Sequence, residues 1–274
     1  KLDYSEVATL HELYRTDYQK FIEYNIQDVL LVDRLEKKMK LLELIISLAY
    51  LSKCNYTDVF AQTRMWDCII YNHLLREKTV IPQKKRERKG DAYEGAYVKA
   101  PQKGRHNWIV SFDLNSLYPH LIMQYNISPE TILGTWEDEI GVDGLVNKEF
   151  DTSIWKEKNV TVTPNGSVYR KDKQGFLPKL MENMYNDRVK YKKLMLTEQK
   201  KGRNADPNKL SQYYNYQQNL KIALNSAYGA MGNQWFRFYD ERNAEAVSVA
   251  GQLSVQWAEN AVNGYLNTTL GTVN

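Results

Sequence analysis

From residue 178 to residue 228 the sequence carries two long helical patterns joined by one short turn, and a compact domain cannot absorb such a pair without letting part of it project. In the first pattern Leu180, Met184, Val189, Leu194 and Leu196 recur near helical spacing on the way to Gly202. Residues 202–207 run from a glycine to a proline and read as the turn. The second pattern runs from about residue 208 to Tyr228. Helices of about 22–24 residues are about 33–36 Å long at about 1.5 Å per residue, so an antiparallel pair of them forms a natural lever.

The charge on this pair is ordered. Arg188 and Lys192 are four apart on the first helix, and Lys221, Asn225 and Tyr228 follow at four and three on the second, so each set lines one face. Two cationic faces can meet over one anion, where charge-assisted hydrogen bonds contribute about 1.5–3 kcal/mol each. A solvated lysine-rich face gives the same spacing. Lys221 is followed by Asn225-Ser226-Ala227-Tyr228-Gly229-Ala230-Met231-Gly232, small residues around one aromatic ring, as on a face closely approached by a flat ligand.

A second informative stretch is residues 111–119. Trp108-Ile109-Val110-Ser111-Phe112 has the β-branched and aromatic character of a buried strand, and it ends on the carboxylate of Asp113 before a Tyr118-Pro119 break. An acid at the mouth of a sheet, beside turning backbone amides, suits a divalent cation carrying phosphates; an ordinary turn residue occupies the same kind of position. Downstream, Val160 to Val162 and Ser167 to Tyr169 flank a Pro164-Asn165-Gly166 turn and read as a hairpin.

The N-terminal part is helical. Phe21, Val29, Val32, Leu35, Met39, Leu42 and Ile46 predict one amphipathic helix over residues 17–51, and Trp66, Ile69, Ile70, Leu74 and Leu75 predict a core helix after Asp58. Tyr24 and Asp28 are four apart on the first, where a phenol and a carboxylate either reach the same water or metal or form a solvated pair. Residues 77–104 turn basic, with Lys84, Lys85, Arg86, Arg88 and Lys89 followed by Tyr93 and Tyr97; such a loop tracks a sugar-phosphate backbone or serves as a solvated linker, and it marks a domain boundary.

Composition adds limits. The 274 residues suffice for two domains, or for one large domain with a projecting lobe, and the formal net charge of +4 argues only weakly for a polyanionic partner. Two cysteines, Cys54 and Cys68, are too few for a disulfide framework or a zinc site, which fits a reducing, cytoplasmic setting. No apolar run approaches the roughly 20 residues that span a bilayer, and the first residues lack a signal-peptide pattern. A start at Lys1 rather than Met, and an end at Asn274 without a terminal cap, suggest a piece of something longer.

Asp113-Leu114-Asn115-Ser116-Leu117-Tyr118-Pro119 resembles motif A of the family B DNA polymerases, and Lys221-Ile222-Ala223-Leu224-Asn225-Ser226-Ala227-Tyr228-Gly229 resembles motif B. Asn126-Ile127-Ser128-Pro129-Glu130-Thr131, the hairpin turn and Trp235-Phe236-Arg237-Phe238-Tyr239-Asp240 are similar to the replicative enzymes of tailed bacteriophages within that family. The resemblance implies a mixed α+β fold: an incomplete polymerase palm sheet with a projecting antiparallel helical fingers pair, preceded by the helical C-terminal part of a ribonuclease H-like exonuclease domain. Residues 1–100 would be exonuclease and linker, 101–177 the first part of the palm, 178–232 the fingers and 233–274 the continuing palm.

By the same resemblance Asp113 and the Leu114 carbonyl bind catalytic metal, two Mg2+ ions in a complete site. Ser116 and Leu117 offer amides to the triphosphate of a dNTP, and Tyr118 is the gate against a 2′-hydroxyl. Arg188, Lys192, Lys221 and Asn225 hold phosphates, Lys221 with a catalytic part, while Tyr228 and Gly229 face the nascent base pair. Tyr24 and Asp28 match the third motif of a 3′-5′ proofreading exonuclease, Asp28 as a metal ligand. The implied partners are primer-template DNA, dNTP and a sliding clamp, with no membrane, in the host cytoplasm if the source is a phage. The family's Asp-Thr-Asp motif, which supplies the second palm carboxylate, is not in this sequence, and neither are the first two exonuclease motifs, so the chain by itself is expected to be inactive. The rival readings are a polymerase-like protein that binds nucleic acid without catalysis, and a nuclease alone.

Overall fold

A computed structural model of the chain describes residues 3, 7–84, 95–107 and 109–271. The basic residues Lys85, Arg86, Arg88 and Lys89, with Tyr93, lie outside the described residues. The N-terminal part is helical, with α1 (Leu10–Thr16), α2 (Tyr18–Met39), α3 (Leu41–Ser52) and α4 (Gln62–Arg76). The single helix expected over residues 17–51 is thus two. Lys40 adopts a left-handed conformation (φ 51°, ψ 45°) and ends α2, and the Glu36 carboxylate takes the Leu42 N–H that the break would strand (3.2 Å). Much of the apolar stripe faces outward, with Val29, Val32, Leu42 and Ile46 all more than half exposed.

Next come α5 (Leu117–Tyr125), β1 (Ile132–Thr135), α6 (Val142–Val146), α7 (Ser153–Glu157), β2 (Val160–Val162) and β3 (Ser167–Arg170). The three strands make one antiparallel sheet in the order β1-β3-β2. The β2–β3 turn closes as the sequence requires: Gly166 takes φ +78°, its N–H donates to the Thr163 carbonyl (2.8 Å) and Thr163 N–H donates to Ser167 (3.0 Å). The strand expected at residues 108–112 does not form over the described residues 109–112. Trp108 is outside the described residues, and Ile109, Val110 and Phe112 are exposed, irregular backbone. β-Branched and aromatic composition suits a pleated surface, but a strand exists only where a neighbour takes its ladder hydrogen bonds, and among the described residues none lies beside this segment.

The long pair follows as α8 (Phe176–Gln199) and α9 (Pro207–Met231), and α10 (Glu241–Leu270) closes the chain. Asp206 caps α9 by accepting from the Asn208 and Lys209 amides, with Pro207 in the first turn, and Glu198 accepts both the Lys201 ammonium (2.6 Å) and the Asp206 N–H (2.9 Å), tying the tip together. The apolar burial of α8 is concentrated at its root, where Leu177, Leu180, Met181 and Met184 are buried; further out Val189, Leu194 and Leu196 are exposed, while Tyr191 stacks on Tyr216 of α9 at 4.8 Å. The pair does not stand free along its whole length, since α3 lies against α9 and Asn219 Nδ2 donates to Ser47 Oγ (2.8 Å).

One core joins α4, α5, β3, α8, α9 and α10 through Trp66, Ile122, Tyr169, Met181, Leu224 and Val247, each at most 2 % exposed. Trp66 donates its indole N–H to Ser226 of α9 (3.1 Å), so the polar atom of the largest buried side chain is satisfied. A smaller core of Ile140, Leu145, Val162, Val168 and Leu253 sits where α10 crosses the sheet.

Candidate functional site

Asn126 builds the site from below. It ends α5 in a left-handed conformation (φ 60°), its Nδ2 donates to the Arg170 and Lys173 carbonyls (2.7 and 2.9 Å), and its Oδ1 accepts the Gly175 N–H (2.8 Å). Glu130 accepts the Phe176 N–H (2.6 Å) at the start of α8. The four bonds fix the root of α8 against the end of α5, so the two helices run side by side and residues further along α8 reach the beginning of α5. His120 and Tyr185 lock that register with an edge-to-face contact at 4.5 Å, and His120 Nδ1 lies 2.8 Å from the Ser116 carbonyl.

At the beginning of α5, Ser116 is left-handed (φ 55°, ψ 44°) and no side chain caps the helix. Pro119 has no N–H, so the amides of Ser116, Leu117 and Tyr118 are left without an intrahelical acceptor, at the positive end of the helix. Arg188 Nη1 donates to Ser116 Oγ (3.2 Å), while Arg188 Nε is buried with no partner. Asn115, Tyr185, Arg188, Lys192, Lys193 and Lys200 line the resulting cleft of about 430 Å3. Cations along its wall and a buried guanidinium nitrogen without an acceptor suit the cleft to an anion, and the start of α5 adjoins it through the bond from Arg188 to Ser116.

Tyr118 lies beside it, its ring 4.7 Å from that of Tyr228. Burial, and then the neighbouring Tyr228, push the Tyr118 phenol above its ordinary pKa, so it stays neutral at any physiological pH. A Cβ at Gly251 of α10 would lie 3.0 Å from Tyr118 Cε1, so this glycine leaves the ring its place. Lys221 and Asn225 are exposed on α9 along the face that carries Tyr228. Gly229 is exposed on the same helix, where a side chain would run into the tip of Gln62. Asn115, His120, Tyr185 and Gly251 were not anticipated from the sequence; Asn115 stands inside a motif, whereas nothing in the run Ala250-Gly251-Gln252 announces that Tyr118 packs there.

Asp113 and Leu114 are exposed in the irregular segment that leads to Ser116. Their two oxygens are a small part of the about six that Mg2+ takes, and among the described residues no three His, Cys, Asp or Glu side chains converge. The donors among the described residues do not by themselves fit a metal pair. Tyr24 (4 % exposed) and the half-buried Asp28 lie on α2, which packs against α1, and neither lines the cleft at Arg188.

Residues 56–273 match the family model described as DNA polymerase family B. The chain belongs to that family. It is 34% identical to the DNA-directed DNA polymerase of Escherichia phage RB69 and 33% identical to that of Enterobacteria phage T4, each over 99% of this chain and 34% of the relative. DNA polymerase 1 of Pyrococcus abyssi is 36% identical over 59% of this chain and 18% of its own. The chain therefore spans about a third of the length of its phage relatives. The solved family B DNA polymerase of the archaeon Pyrobaculum calidifontis has the same fold over 86% of this chain and 28% of its own, at a TM-score of 0.60 and 24% identity. No helix among the described residues is long and apolar enough to cross a membrane.

Proposed function

We propose that this chain is the part of a template-directed DNA polymerase that receives the incoming nucleotide. The observation that carries the reading is the cleft along α8 at Asn115, where Arg188 is bonded to Ser116 at the start of α5 and keeps a buried nitrogen unpaired. The Leu117 amide, with that of Ser116, would take triphosphate oxygens; Arg188 and Lys192 would neutralise them from α8, and Lys221 and Asn225 from α9. Tyr118, fixed between Gly251 and Tyr228, would lie under the sugar and exclude a 2′-hydroxyl by occupying its space. Tyr228 and Gly229 would face the new base pair.

In this reading residues 101–177 and 233–274 are palm, 178–232 are fingers, and 1–100 end a proofreading exonuclease in which Asp28 and Tyr24 serve the metal and the attacking water. Asp113 and the Leu114 carbonyl would contribute two oxygens toward a divalent metal, Mg2+ by the family resemblance, whose remaining ligands are not among the described residues; when bound it would supply Lewis-acid chemistry at the reacting phosphate. The chain's own residues bind, orient and neutralise. With one palm acid among its described donors, the chain alone is expected to hold nucleotide without turning it over.

The reading is tested on sugar choice. In a polypeptide that joins this chain to the remaining two thirds of a family B polymerase, Tyr118→Ala is expected to lower the dNTP:rNTP incorporation ratio in primer extension by at least tenfold. An unchanged ratio in an active enzyme would remove Tyr118 from the sugar position.

A further inference from the structure

A second cleft, of about 630 Å3, opens at the other end of α5. Tyr125, the last residue of that helix, lines it, about 12 Å from Leu117 at about 1.5 Å per residue, so it is separate from the cleft at Arg188. Phe150, Trp155 and Trp257 supply three more aromatic walls, and Lys148 and Lys156 stand in the same lining. Trp257 is 50 % exposed, and Trp155 leaves its indole N–H buried with no acceptor although Trp136 holds its ring edge-to-face at 6.1 Å. Neither lysine ammonium forms an ion pair among the described residues, and the carboxylate in the lining, Asp151, already accepts the Ser153 N–H (2.9 Å).

We propose that this cleft binds an unpaired nucleotide of a single-stranded DNA, its base on the open face of Trp257 and its phosphates toward Lys148 and Lys156. Aromatic faces bordered by cations are how proteins hold single strands without reading their sequence, because every base has a π-face and every linkage a charge. An apolar peptide would use the rings and leave the two ammonium groups unanswered. The indole N–H of Trp155 gains an acceptor if a small ring shift presents it to a base oxygen or ring nitrogen. The choice of DNA rests on the polymerase reading; the aromatic and cationic geometry does not.

The test is binding of a fluorescent oligodeoxythymidylate to the full chain without nucleoside triphosphate or metal, across a series of salt concentrations. Trp257→Ala is expected to weaken binding roughly tenfold, as loss of one base–aromatic stack does. The Lys148→Ala, Lys156→Ala double variant is expected to flatten the slope of log affinity against log salt by about 0.7 for each phosphate that it no longer neutralises. Thermal melting of both variants close to the parent shows that they are folded, and a 5-bromodeoxyuridine cross-link to the peptide holding Trp155 or Trp257 locates the strand. Unchanged affinity and salt dependence in folded variants, or cross-links confined to other surfaces, would overturn the proposal. If nucleotide binding fails at Arg188 while the oligonucleotide still needs Trp257, only the polymerase reading falls; the converse result removes only this site.

Discussion

Arg188 illustrates how one side chain carries both structure and chemistry. Its contact with Ser116 holds the fork of the guanidinium across the start of α5, and its buried, unpaired Nε is a deficit that an anion can remove. Glu198, ten residues further along α8, is the opposite case: a carboxylate fully used by the fold. The Asp206 N–H and the Lys201 ammonium hold its pKa below the ordinary glutamate value of 4.5. A depressed carboxylate contributes stability that is present above the unfolded value and is lost as pH falls through the folded one. Melting temperature should therefore drop progressively below pH 4.5, and Glu198→Gln should be less stable at neutral pH and lose part of that acid dependence. Parallel acid profiles for the two proteins would show that the tip bonds contribute nothing.

At the scale of elements, α8 and α9 were legible because helical spacing, a glycine-to-proline turn and the Asp206 cap all agree. The hairpin was legible because Gly166 supplies the φ its turn demands. The break at Lys40 was not, since a left-handed lysine carries no local signal and the compensating Glu36 bond depends on the turn already being made. The segment before Asp113 misled for the reason that composition describes a surface and not the strand that must pair with it. α10 was missed because small residues along it, among them the Gly251 against which Tyr118 packs, blur its apolar stripe. The bond from Trp66 to Ser226 links α4 to α9 inside the core, and Ser226→Ala would leave that indole N–H buried and unpaired. A cost of about 1–3 kcal/mol in urea unfolding is expected, and a loss well under 0.5 kcal/mol would mean that the helices are not joined there.

At the scale of the molecule, the organisation is a helical N-terminal part, a small sheet crossed by α10, and a long helical pair whose root Asn126 and Glu130 fix to α5. Motif A meets the long helical pair at two points: Ser116 with Arg188 of α8, and Tyr118 with Tyr228 of motif B. Asp113 stays apart because a lone exposed carboxylate has nothing among the described residues to share a metal with, whereas Arg188 and Tyr118 are positioned by packing that is complete here. The side chains that the fold alone orients are therefore those proposed to grip the nucleotide, and the proposed metal ligand Asp113 is left exposed.

Equilibrium titration of the chain with a deoxynucleoside triphosphate, by calorimetry or by 31P NMR, tests that grip directly. Removing the charge-assisted bonds of Arg188 by Arg188→Ala should weaken binding about 10–100-fold, corresponding to about 1.5–3 kcal/mol, with the fold retained in far-UV circular dichroism. Equal affinity of the parent and a folded Arg188→Ala chain would contradict the assignment of the cleft at Arg188 to the triphosphate.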